Sequence, residues 1–94
     1  MRNEVGIVIC ACRKHCNYKQ SYMAIKLGIT PHTYANIEKG RVDINTKKLV
    51  AVGKLLSIRP HQILALAEEV KEFGEQDWLP NMVKRLIKTC ELAN

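Results

Sequence analysis

The stretch QSYMAIKLGITPHTYANIEKG, Gln20 to Gly40, decides how this chain is read. Within it, Thr30-Pro31 is the sharpest local signal. A hydroxyl that can cap a helix stands directly before a proline, whose missing N–H costs nothing at the first helical position. The pair predicts a helix from there to Lys39, stopped at Gly40, with Tyr34 and Ile37 turned inward. Gln20 to Leu27 reads as a shorter helix that ends at Gly28. Ala24 is small enough for the two helices to cross closely. Met23, Leu27, Ile29, Tyr34 and Ile37 supply an apolar underside, and Gly28 supplies the bend.

Working outward, Asn3 can cap a first helix running to about Cys16, with Val5, Ile9, Cys12 and Cys16 near the spacing of a buried stripe. Gly6-Ile7-Val8-Ile9 would also suit a strand by its β-branched content. Asn17 fits the left-handed residue that ends a helix. Beyond Gly40, Arg41 to Ile44 read as a loop. Asn45 caps a fourth helix through Leu56, with Leu49, Val52, Leu55 and Leu56 as its apolar face. Pro60 opens a fifth, on which Ile63, Leu64, Ala67 and Val70 are expected to form the stripe, and Gly74 closes it. Leu79-Pro80 can start a sixth, with Met82, Val83, Leu86, Ile87 and Cys90 at helical spacing. Six helices with short connections make an all-α bundle the natural architecture.

Charge narrows the function. The 94 residues carry a formal balance of +6, and it is unevenly placed. Residues 1–59 hold eleven Lys/Arg against three acids, a balance of +8, while residues 60–94 hold four against six, a balance of −2. A basic first part favours a polyanion as partner. A short helix braced by another is also what the major groove admits. His15, His32 and His61 are dispersed, and no serine-histidine-acid set or carboxylate pair is discernible, so the pattern argues against an enzyme. Cys10, Cys12, Cys16 and Cys90 lack paired two-residue ligand spacings, so neither a metal nor another cofactor is expected. Arg13 and Lys14 interrupt the apolar run Val5 to Cys12, and nothing reaches membrane-spanning length, so the expectation is a cytoplasmic chain with reduced thiols and no membrane partner.

Taken together, these residues resemble the helix-turn-helix of the lambda-repressor and Cro family, also called the xenobiotic-response-element family. The resemblance covers roughly residues 3 to 70. Val5, Gly6, Ile9, Cys12, Arg13, Asn17 and Tyr18 match the first-helix pattern, and Leu49, Val52, Leu56, Ile58, Ile63 and Leu64 the fourth and fifth. Cys12 stands in place of a usual leucine, Asn17 of a glycine and Tyr34 of an aliphatic residue. The resemblance implies a five-helix lambda-repressor-like DNA-binding domain over residues 1–73, followed by the sixth, amphipathic helix in residues 74–94.

Further implications follow for single residues. Gln20 is expected to bond a phosphate and support recognition residues. Arg13 and Glu38 are expected to form an ion pair between the first and third helices. Thr30, Pro31, His32 and Asn36 match positions that touch base edges, Asn36 being suited to adenine and His32 to a purine N7. Lys19, Thr33, Lys39, Arg41, Lys47 and Lys48 flank them as phosphate contacts.

The first helix is apolar on nearly every side, more than one core-facing stripe requires. Trp78 and the sixth helix, with Met82, Val83, Leu86 and Ile87, are expected to cover it, within the chain or across a homodimer. Double-stranded DNA is the expected partner, and the expected function is a sequence-specific transcription regulator, a repressor or autoregulator. A second reading is a module that holds a protein partner, as an antitoxin does, which the acidic amphipathic tail keeps open.

Overall fold

The computed structural model describes residues 4–74 and 78–87. Among them run six α-helices and no strand: α1 Glu4–His15, α2 Gln20–Leu27, α3 Pro31–Glu38, α4 Thr46–Leu56, α5 Pro60–Phe73 and α6 Trp78–Leu86. The strand alternative at Gly6 to Ile9 is therefore set aside, because this segment is the middle of α1. The expected cap at Asn3 and the helical position of Cys90 lie outside the described residues.

Local chemistry sets most of the helix ends. Thr30 Oγ1 accepts the Thr33 N–H at 3.1 Å, and Asn45 Oδ1 accepts the Lys48 N–H at 2.8 Å. Each satisfies one of the amides that an α-helix leaves unpaired at its start. At α5 the direction is reversed, with the Arg59 N–H donating to Gln62 Oε1 at 3.0 Å. Four ends share one closing motif. Asn17, Gly28, Gly40 and Ser57 all take positive φ. The next residue's N–H reaches back five positions, from Tyr18 to Arg13, Ile29 to Ala24, Arg41 to Asn36 and Ile58 to Gly53. This left-handed closure satisfies carbonyls that would otherwise be left bare.

α1 is the centre of the bundle and packs against α3, α4, α5 and α6. That explains its unusually wide apolar surface. Val8, Ile9 and Cys12 are fully buried, while Ile7, Val5 and Ala11 pack at the margin of the core. α6 covers α1 of its own chain. Leu79, Val83 and Ile87 are buried there, and Trp78, Met82 and Leu86 are partly buried around them. His15 Nε2 meets the Ile87 carbonyl at 3.1 Å, tying the end of α1 to the end of α6.

Two expectations need correction. Leu64 does not join the α5 stripe, since it is 47% exposed while Ile63, Leu66, Ala67 and Val70 are buried. From Ile63 the buried positions fall three, four and seven residues on, and Leu64 is rotated about 100° off that line. Cys16 is disulfide-bonded, against the expectation of reduced thiols, whereas Cys10 and Cys12 are free thiols. Compartment bears on whether a disulfide persists, not on which cysteines the chain's path makes available for one. Burial raises the Cys12 thiol to about 12, so it behaves as a small core residue.

Candidate nucleic-acid interface

α2 and α3 pack against one another around Ala24, which is fully buried with Met23 beside it. The chain turns between them at Gly28, φ 70°, a left-handed conformation that favours glycine. Tyr34 and Ile37 face the core. The opposite side of α3 carries exposed Pro31, His32 and Thr33, with Asn36 half-buried. Asn36 Nδ2 and His32 Nε2 lie 3.3 Å apart, one turn from each other. Thr30, also exposed, has a second duty: its hydroxyl accepts the Thr33 amide and donates to Thr33 Oγ1 at 2.9 Å. The helix start and the outer face are thus built from the same residues.

Exposed cations stand at or near the ends of these helices. Lys19 precedes α2, Lys39 follows α3, Arg41 lies just past the Gly40 turn, and Lys47 stands in the first turn of α4, all exposed, with Lys48 half-buried. Neither α2, α3 nor α4 has an acidic residue in its first turn. The positive ends of these helices are therefore not neutralised by their own side chains.

Beneath the face lies a polar network centred on Glu38. Arg13 Nε donates to Glu38 Oε2 at 2.6 Å and Nη2 to Oε1 at 3.2 Å, so the fork of the guanidinium meets the carboxylate. Gln20 Nε2 donates to Oε1 at 2.9 Å, and the Tyr34 hydroxyl donates to Oε2. Arg13 Nη1 also donates to the Tyr18 carbonyl at 2.8 Å. One carboxylate thereby gathers α1, the turn before α2, the start of α2 and the end of α3. Burial alone would raise the Glu38 carboxyl, but the hydrogen bonds from Arg13, Tyr34 and Gln20 outweigh it and hold the group below the usual carboxylate range. The same burial, with Glu38 beside it, pushes the Tyr34 phenol upward, keeping it a donor.

The structure thus brings Arg13 and Glu38 together and gives Gln20 a protein partner that sequence reasoning did not assign. Gln20 remains exposed, and its amide has a second N–H. The Tyr34 bond was also missed, although Tyr34 and Glu38 stand four apart on one helix, the spacing at which side chains meet. Trp78, Met82, Val83 and Leu86 lie on α6, which covers α1, and Ile87 lies just past its end. Among the described residues, no three His, Cys, Asp or Glu side chains come together to hold a metal ion, and no single helix is long and apolar enough to cross a membrane.

A buried brace and a short helix with a polar outer face, joined by a tight glycine turn, define a helix-turn-helix module. A helix-turn-helix family model matches residues 11–63, more than half of the chain and spanning α2, α3 and α4. The chain belongs to the lambda-repressor and Cro-like helix-turn-helix family of DNA-binding transcription regulators. No curated protein and no solved structure matches it.

Proposed function

We propose that this protein is a sequence-specific transcription regulator, a repressor or autoregulator acting in the cytoplasm, that binds duplex DNA as a homodimer with α3 in the major groove. The observation that carries the reading is the outer face of α3, where His32 stands exposed and Asn36 half-buried, with Lys19, Lys39 and Arg41 exposed near the ends of α2 and α3. The roles divide by chemistry. Asn36, His32, Pro31 and Thr30 meet base edges, Pro31 offering apolar contact to a thymine methyl. Gln20, Lys19, Thr33, Lys39, Arg41, Lys47 and Lys48 meet phosphates, which position the helix without reading sequence.

The homodimer follows from reach. A helix of eight residues touches only a few base pairs, and two copies related by a two-fold axis double the site. Leu79, Val83 and Ile87 are buried in their own subunit, so the part of this region left to a second copy is Phe73, 64% exposed, with Trp78 and Met82 beside it.

Selection of bound sequences from random duplex DNA at near-physiological salt tests the proposal. The expected result is an inverted repeat with half-site centres about 34 Å apart, one turn of the duplex. A single unrepeated site with Phe73→Glu leaving sedimentation unchanged would remove the dimer, and binding without sequence preference would remove the regulator.

A further inference from the structure

We infer that Glu38 is a positioning residue for the DNA contact of Gln20: its buried carboxylate holds one N–H of the Gln20 amide and leaves the other for a backbone phosphate at the start of α2. This rests on the proposed role of Gln20 as a phosphate contact.

Donor and acceptor roles are fixed here by the carboxylate. Glu38 Oε1 receives Arg13 Nη2 at 3.2 Å, and Oε2 receives Arg13 Nε at 2.6 Å and the Tyr34 hydroxyl. Those bonds hold the group below the usual carboxylate range, and an ionised carboxylate can only accept. The amide atom 2.9 Å from Oε1 is therefore the nitrogen of Gln20 and not its oxygen. That nitrogen carries a second N–H. Gln20 is exposed, whereas Glu38 is 6% exposed. One NH2 group thus stands between an anion inside the protein and the solvent outside it, a place that a side chain with acceptors alone could not fill.

The surroundings of the outer N–H suit a phosphate. Gln20 is the first residue of α2, and Lys19 before it is exposed and makes no side-chain bond to the amides of the first turn. A phosphate at this place meets the outer N–H, the positive end of the helix and the Lys19 charge together. Without Glu38, Gln20 would be a loose surface side chain, and glutamine is among those that lose most rotamer freedom when ordered. With Glu38, much of that ordering happens on folding rather than on binding, which is how preorganisation raises affinity. Glu38 is also the last residue of α3. A phosphate held by Gln20 is therefore joined, through two hydrogen bonds, to the end of the helix proposed to enter the groove.

Two measurements on the full chain test this. In the DNA-free protein, a side-chain amide proton of Gln20 should exchange with water more slowly than those of Gln62, an exposed glutamine held by its oxygen instead. Equal rates would overturn the inference. On the selected site, a neutral methylphosphonate replaces each phosphate in turn, and the position that becomes silent in Gln20→Ala is the one Gln20 holds. The phosphates of Lys39 and Arg41 are found in the same way from Lys39→Ala and Arg41→Ala. Wild type should lose about tenfold in affinity at the Gln20 phosphate, the scale of a hydrogen bond to a charged group. Arg13→Met combined with Glu38→Leu removes the carboxylate without stranding the guanidinium, and circular dichroism at the binding temperature checks its fold. In that variant the loss at the Gln20 phosphate should shrink to about twofold or less, since coupled residues are not additive. The losses at the Lys39 and Arg41 phosphates should stay as in wild type, which a merely structural role for Glu38 would not allow. Full sensitivity at the Gln20 phosphate, or equal shrinkage at all three, would overturn the inference and leave the groove reading standing. If the combined variant does not fold, the exchange rates decide alone. A wild-type chain that does not bind duplex DNA would overturn both.

Discussion

Gly6 of α1 lies against the backbone of Ile37 at the end of α3. A Cβ at position 6 would overlap the Ile37 carbonyl oxygen and come within 2.8 Å of the Glu38 carbonyl oxygen. The close approach of the two helices, which brings Arg13 within reach of Glu38, depends on that missing methyl group. Gly6→Ala should therefore destabilise the protein. Helix propensity favours alanine by about 1 kcal/mol, but the atoms in the way are backbone and cannot turn aside, and overpacking typically costs about 1–3 kcal/mol or more. The midpoint of urea unfolding should fall, and a raised midpoint would show that α1 and α3 can separate freely.

Glu38→Ala should cost roughly 3–5 kcal/mol, the loss expected when one partner of a buried ion pair is removed and the other is left behind. The side chains of Arg13 and Glu38 are only 12% and 4% exposed, so water cannot replace the missing carboxylate well. Replacing both by apolar residues of similar volume should cost less than Glu38→Ala alone. A double-mutant cycle by chemical denaturation measures the difference. An unchanged melting temperature in Glu38→Ala would deny the pair any structural role.

The same carboxylate makes stability depend on pH. Its folded value is lowered, so its contribution is fully present above the ordinary glutamate range of about 4.3 and is lost as pH falls through the lower folded value. Wild type should therefore lose its advantage over Glu38→Gln only in acid below that range. Unfolding free energies from about pH 7 to pH 2 would show it. A constant gap between the two proteins down to the lowest pH would contradict the assignment.

Phosphate and base contacts should separate in binding experiments. Lys39→Ala and Arg41→Ala should each weaken binding to every sequence about equally and reduce the salt slope by about one. Asn36→Ala should cost roughly 1–3 kcal/mol at one base pair and leave the salt slope unchanged. Titrations at several salt concentrations on matched and mutated sites distinguish the two. If Asn36→Ala altered only the salt slope, its placement at the base edge would be wrong.

Two leucines give opposite expectations. Leu79→Ala on α6 should destabilise by about 2–5 kcal/mol, because its side chain is 3% exposed in the core with Val83 and Ile87. Leu64→Ala on α5, at 47% exposed, should change stability by about 0.5 kcal/mol or less. Thermal melts of the two variants make the comparison. Comparable losses would mean that another surface covers Leu64 in solution.

Much of this fold is legible from consecutive residues. Thr30 and Asn45 cap the helices that follow them, and Asn17, Gly28 and Gly40 close those that precede them, because a cap acts within one turn of the chain. The stripe on α4 is legible for the same reason. Leu64 was misread because two adjacent leucine and isoleucine positions both look apolar in sequence, and only the packing of α5 against α1 shows which faces inward. The outer face of α3 could be drawn residue by residue from the motif. That His32 and Asn36 touch depends on their rotamers, which composition does not reveal.

By itself, then, the order of residues determined where helices begin and end, which of them are amphipathic, and where positive charge gathers, since each depends on neighbours within a few positions. Only the tertiary structure decided that α6 lies on α1 of its own chain, and that the Glu38 carboxylate, besides the expected Arg13, also receives Gln20 from 18 residues away and the Tyr34 hydroxyl. Those partners meet because helices cross at particular places, and a crossing is decided by the whole core at once.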